Sequence, residues 1–250
     1  LDLGLKATVG YSKTNFADPE AGAGRQNWGN PWFTTLLAYP YESPDDWYNV
    51  DNPTLITKYY DRETGRLKTV ASVYAKASIT DWLSVKTNFG LDFMYNRNVS
   101  TLHRDHPNAQ QNHGYYGQTS SELFRYTWTN TINVNKDFAN GHSLNAVAGM
   151  EMFQGKWYTS NFTGYDLNSD MMQSPAGIGD KSGSSLFPPS IGGGRTMSNL
   201  MSFFAQASYS IANKYNFSAS LRHDTSSKFY EDNASATFWS VGASWLISSE

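Results

Sequence analysis

The sequence predicts an all-β fold, an antiparallel transmembrane β-barrel, with about eight consecutive strands in these 250 residues. Three observations predict it. Apolar and polar residues alternate with period two over long runs, as a pleated strand requires when successive side chains point to opposite faces. Most runs reach the roughly 9–11 residues that a tilted strand needs to cross a bilayer, against about five or six for a soluble strand. The connections are short and long in alternation, which puts tight turns on one side of the sheet and long loops on the other.

The first run is 1–12. Leu1, Leu3, Leu5, Ala7, Val9 and Tyr11 share one face, and Asp2, Gly4, Lys6, Thr8, Gly10 and Ser12 share the other. A second run covers 67–79. The third, 83–96, groups Leu83, Val85, Phe89, Leu91, Phe93 and Tyr95, with Thr87 as their less apolar neighbour. Met94 is the apolar exception on its opposite, polar face. Runs at 122–135, 143–158, 198–211, 215–224 and 236–247 complete the set. Short connections fall at 80–82, 136–142 and 212–214, and long ones at 13–66, 97–121, 159–197 and 225–235.

Aromatic residues gather where a bilayer interface would fall. Tyr11 and Tyr95 end outward strands, and Trp82, Tyr209, Tyr215 and Trp245 lie by the short turns. This is the girdle distribution of a barrel, although Tyr and Trp also favour strands in general. The polar face carries Lys6, Asn88, Asp92, Thr129, Thr131, Asn133, Gln206, Ser208, Ser218 and Arg222. Such a lining suits a wide, wet or plugged lumen better than a packed core.

Composition agrees. Charged residues are 16% and aromatics 15% of the chain, and cysteine is absent, so disulfide frameworks and thiolate metal sites are excluded. The net charge is −3, with no basic patch for nucleic acid. Mean hydropathy is −0.54, which is compatible with a barrel because only every second strand residue meets lipid. No apolar stretch is long enough for a transmembrane helix, and Leu1 opens on a strand pattern without a signal peptide.

The residues point to no covalent chemistry and no cofactor. His103, His106 and His113 share one long connection, but among Asn108, Gln110, Gln111 and Asn112 they read as a polar surface loop without the supporting shell a metal needs. Asp45–Asp46, and Asp166 with Asp170, lack the ligand ladder of a calcium loop. Gly192–Gly194 precedes a strand, so it is no phosphate cradle. The sequons at Asn98, Asn161, Asn216 and Asn233 are short enough to arise by chance. The loops hold the functional interest. Trp28, Trp32, Trp47 and Tyr48 lie in the first, Tyr115 and Tyr116 in the second, and Tyr165 and Phe187 in the third. Such rings stack on sugars or anchor a protein partner, or else serve the packing of the loops on themselves.

Two segments carry a family resemblance. The first is 203–250, with Tyr209, Ser210, Lys214 and Tyr215 around a short turn. Ser220-Leu221-Arg222, Asp224 and Ser226-Ser227-Lys228-Phe229 follow, then Ser240-Val241, Ala243, Trp245 and Ile247-Ser248. Phe238-Trp239 stands where Phe-Pro is usual. The second, 128–151, is a strand, a short turn and a strand ending in Gly149-x-Glu151. A weaker echo runs from Asn52-Pro53 to Phe93. In this order they resemble the SusC/RagA-type TonB-dependent transporters. The resemblance covers about half the chain. It implies about 22 strands around an N-terminal plug, so the chain is expected to be an internal arc of barrel, with plug, TonB box and C-terminal strands outside it. It also implies import of oligosaccharides or oligopeptides across the outer membrane, no enzymatic activity, a SusD-like surface lipoprotein as cap, and TonB as the energy source. Two other readings of the strands stay open. One is a self-contained eight-stranded barrel acting as an adhesin or structural protein, and the other is a soluble carbohydrate-binding sandwich.

Overall fold

The computed structural model describes residues 1–16, 58–106, 109, 111–168, 174–179, 187–212, 214–229 and 234–247. The strands are β1 (Asp2–Phe16), β2 (Tyr60–Ser78), β3 (Leu83–Leu102), β4 (Tyr115–Phe138), β5 (His142–Tyr165), β6 (Ser190–Ile211), β7 (Tyr215–Ser226) and β8 (Ser235–Trp245). Each pairs antiparallel with the next, giving one sheet in the order β1-β2-β3-β4-β5-β6-β7-β8. Among the described residues β1 and β8 are its free edges. The eight strands therefore form an open wall and not a closed eight-stranded barrel. Among the described residues there is one layer and no second sheet of a sandwich.

The register keeps the alternation in phase across the whole wall. Leu5 faces Val73, Val73 faces Phe89, Phe89 faces Trp128 and Trp128 faces Met152, so one face is apolar from strand to strand. Leu3, Leu5, Val9, Leu221, Trp239 and Val241 on it are all more than half exposed, which in water would be a large unsolvated patch. Trp239 falls on this face, as its position in the pattern requires. Thr87, the least apolar residue of its run, accepts a hydrogen bond from Trp128 Nε1 at 2.9 Å and so satisfies an indole N–H that lipid would leave unpaired.

The strands tilt. Through the register, Leu83 at the foot of β3 lies in one row with Val134, Ala146, Ala207 and Ala219. The foot of β7 is Tyr215, four residues below Ala219. Four residues over four strand steps, at about 3.3 Å per residue and 4.8 Å per strand, is a tilt of about 35°, as barrel closure demands. At that tilt the ten steps from Val85 to Tyr95 rise about 27 Å, close to the height of a barrel's apolar band.

Girdles mark both ends of the band. On the short-turn side Lys136 Nζ sits 4.8 Å above the Trp82 ring. Tyr209 bonds His142 Nδ1 at 3.1 Å, and Tyr215 stacks on Trp245 at 6.1 Å. On the other side Tyr11, Leu67, Tyr95, Glu122 and Tyr158 share a row.

The long connections expected at 97–121 and 159–197 are shorter than the sequence suggested. β3, β4, β5 and β6 continue well past the outer girdle, and Gly192–Gly194 lies inside β6. The alternation fades in the sequence because the environment changes. Above the girdle the outward face meets water and turns polar, with Lys13, Glu63, Arg97 and Gln118. Both faces are then hydrophilic, and a period-two signal needs one apolar face.

Candidate functional site

The inward face is the one that solute would meet, and its named side chains lie at two levels. The lower is an ion-pair ladder. Arg222 donates to Asp224 Oδ1 at 2.7 Å, to Ser202 Oγ at 2.9 Å and to Glu151 Oε1 at 3.4 Å. Glu151 also accepts from Thr129 Oγ1 at 3.2 Å. The guanidinium lies 5.8 Å from the centre of the Phe204 ring. That ring leans over Gly149, where a Cβ would meet Asn130 O at 2.5 Å and Phe204 Cζ at 2.8 Å. The sequence reading placed Arg222 on the inner wall but missed the ladder. Its signal was the two resembling segments themselves: Gly149 and Glu151 come from one, Arg222 and Asp224 from the other, and strand pairing joins them.

The upper level is an aromatic rim. Tyr60, Tyr115, Tyr165 and Phe187 form a row at the outer end of the inner face. Ring centroids are 6.5 Å apart for Tyr60–Tyr115, 6.4 Å for Tyr115–Tyr165 and 5.6 Å for Tyr165–Phe187. Tyr115 OH donates to Tyr60 OH at 3.2 Å, and Ser100 Oγ lies 2.8 Å from Tyr60 OH and 3.3 Å from Tyr115 OH. Tyr115 and Tyr165, expected in loops, are the first and last residues of β4 and β5. Three of the proposed loop residues thus meet in one row, joined by Tyr60, which periodicity did not single out.

Tyr116 is a correction. It was expected in a loop, exposed for contact, and it is fully buried on the opposite face. It stacks on Phe162 at 6.0 Å and accepts from Arg97 at 3.3 Å. One residue along a strand reverses the face, so Tyr115 and Tyr116 cannot both point to solute. Trp28, Trp32, Trp47 and Tyr48, like Asp45, Asp46 and Asp170, lie outside the described residues.

The three histidines serve the loop beside the rim. His103 packs on Tyr59 at 5.4 Å, and His106, 4% exposed, meets the same ring edge-on at 6.3 Å. Burial holds the His106 imidazole below its usual pKa. His113 Nδ1 lies 2.9 Å from Asp166 Oδ1, tying the start of β4 to the end of β5. His103 and His106 share Tyr59, while His113 faces Asp166. Arg104 donates to the carbonyl of Leu167, which is fully buried.

A tilted wall, apolar outside and polar inside, with a ladder and a rim on its inner face, can line a solute path. The comparisons with known proteins bear on family and fold. The family model described as TonB-dependent receptor-like β-barrel matches residues 8–250. TonB-dependent receptor P39 of Formosa agariphila is 23% identical over 205 residues, 81% of this chain and 19% of that protein. TonB-dependent receptor SusC of Bacteroides thetaiotaomicron is 40% identical over 55 residues, 22% of this chain and 6% of that protein. The structure of the RagAB peptide transporter matches with a TM-score of 0.80 at 18% identity, over 99% of this chain and 29% of that one. The same transporter in an open-open state matches at 0.74. The chain thus spans less than a third of each of these relatives, and what it shares with the RagAB structures is the fold. It belongs to the TonB-dependent receptor-like β-barrel family, whose members are receptors rather than enzymes.

Proposed function

We propose that this wall serves TonB-driven import of oligopeptides or oligosaccharides across the outer membrane. The observation that carries the reading is the inner face. It carries the polar ladder of Arg222, Glu151 and Asp224 inside the apolar outer band, and it continues above the band into a rim of rings and hydroxyls. A polar ladder below a rim of hydroxyl-bearing rings, on the face turned away from lipid, suits a solute path. The likeness to SusC and to the RagAB transporter supports the same reading. In it, a SusD-like lipoprotein caps the raised ends of β3–β6, and TonB acts on a plug held inside the barrel. Trp28, Trp32, Trp47 and Tyr48, with Tyr115, Tyr165 and Phe187 of the rim, contact cargo or cap. Tyr116 supports the rim from behind. Uptake of radiolabelled oligopeptides and oligosaccharides by cells with and without the full-length gene tests this. Import of one class should need both this gene and TonB. Uptake of both classes at wild-type rates without the gene would refute it, and that result is the one expected of an adhesin.

A further inference from the structure

Between ladder and rim the inner face holds a third feature, a cavity of about 360 Å³ where β3, β4, β5 and β6 pass under the turn that follows β7. Its floor is apolar. Met94, Leu123 and Trp157 stand side by side in one cross-strand row. Gly155 leaves the next floor position on β5 without a side chain. Met94 is the residue that broke the polar face of its run, and here it has a reason to be apolar. Trp157 is 51% exposed, on a face that is otherwise wet. A large ring is stable in that setting when a ligand covers it.

Two cations flank the floor. Arg125 reaches it from β4 and Lys228 from the turn after β7. Among the described residues neither head group has a hydrogen-bond or ion-pair partner. Arg125 even has an acid opposite it in the register, Asp92, and does not use it: Asp92 Oδ1 is buried and unpartnered. Arg125 lines the cavity instead. Two cations whose head groups make no hydrogen bond or ion pair among the described residues, beside an apolar floor, form a receptor for an anion that carries its own apolar or planar surface.

We infer that this cavity is a cargo subsite for a carboxylate-bearing unit. Arg125 and Lys228 hold the carboxylate, and Trp157, Leu123 and Met94 cover the adjoining apolar or planar part. That its occupant is cargo rests on the import reading above. The same chemistry is offered by a peptide with a free terminal or side-chain carboxylate and by an oligosaccharide containing uronic acid.

Calorimetric binding to the purified full-length protein in detergent tests the inference without TonB or an energised membrane. The probes are the peptide Phe-Leu-Glu with free carboxylates, its fully amidated counterpart, digalacturonic acid and galactobiose. At least one acid should bind about tenfold or more tightly than its neutral partner, and the pair that discriminates identifies the source. Arg125→Met combined with Lys228→Met should erase the discrimination, and Trp157→Ala should weaken the acid as well. Equal binding within both pairs, or discrimination unchanged in the double variant, overturns the subsite. If the double variant loses the heat-modifiable mobility of a folded barrel, the wild-type comparison of acid with neutral probe still decides. Acid binding to a protein that supports no TonB-dependent uptake would refute import and leave the subsite standing.

Discussion

Arg222 meets three polar partners and one aromatic ring, and its effect should be cooperative. Charge-assisted hydrogen bonds contribute about 1.5–3 kcal/mol when shielded from water. The Arg222 side chain is 39% exposed, so Arg222→Met is expected to cost about 1 kcal/mol after solvent screening. The urea midpoint for refolding the full-length protein into vesicles reads this directly. Glu151→Gln should cost less in the Arg222→Met background than alone, because the ion pair is already lost. Equal costs would show that the two are uncoupled. At the same scale, Tyr115 and Tyr116 show what a sequence hides. Both are aromatic and adjacent, and only the register says which of them faces the lumen.

At the scale of elements, the turns and the rim loop are the sensitive points. Between β4 and β5 the chain reverses through Asn140 and Gly141, at φ values of 62° and 73°. Asn and Gly reach this left-handed region at least cost. Gly141→Val should therefore lose about 1–2 kcal/mol in the same urea assay, and Asn140→Gly should lose little. The rim loop carries a pH dependence. Burial disfavours the charged form of His106 and lowers its pKa below the usual imidazole range. In an opened loop the ring takes up a proton near 6.5, so the folded loop is most stable above that pH and loses stability as pH falls below it. Hydrogen exchange across 103–114, corrected for intrinsic rates, should show protection at pH 7.5 that declines by pH 5.5. His106→Leu should remove the decline. Strand cores were legible in the sequence because each has one apolar face. Strand ends above the membrane were not, since Lys13, Glu63 and Arg97 face water there and erase the contrast.

For the whole wall, the environment of each face sets the cost of a charge. Leu221 lies on the lipid face six residues above the foot of β7, and at the strand tilt this is near the middle of the bilayer. Leu221→Arg should cost about 2–4 kcal/mol. Ser220→Arg, one residue away on the inner face, should cost much less, because its charge stays in water. The folded fraction of the full-length variants in lipid vesicles, read by heat-modifiable mobility, compares them. Equal costs would contradict the assignment of the faces.

The sequence by itself determined the strand pattern, the alternation of faces, the side on which the short turns lie and the family, because these depend on residues close together along the chain. It also marked Arg222, Glu151 and Met94, without saying what joins them. Tertiary structure decided that Glu151 and Arg222 meet, that Tyr60, Tyr115, Tyr165 and Phe187 form one rim, and that Met94, Leu123 and Trp157 form one floor. Those contacts are set by the register and tilt of neighbouring strands. Backbone hydrogen bonds are alike at every register, so the choice among them belongs to the packing of the whole sheet.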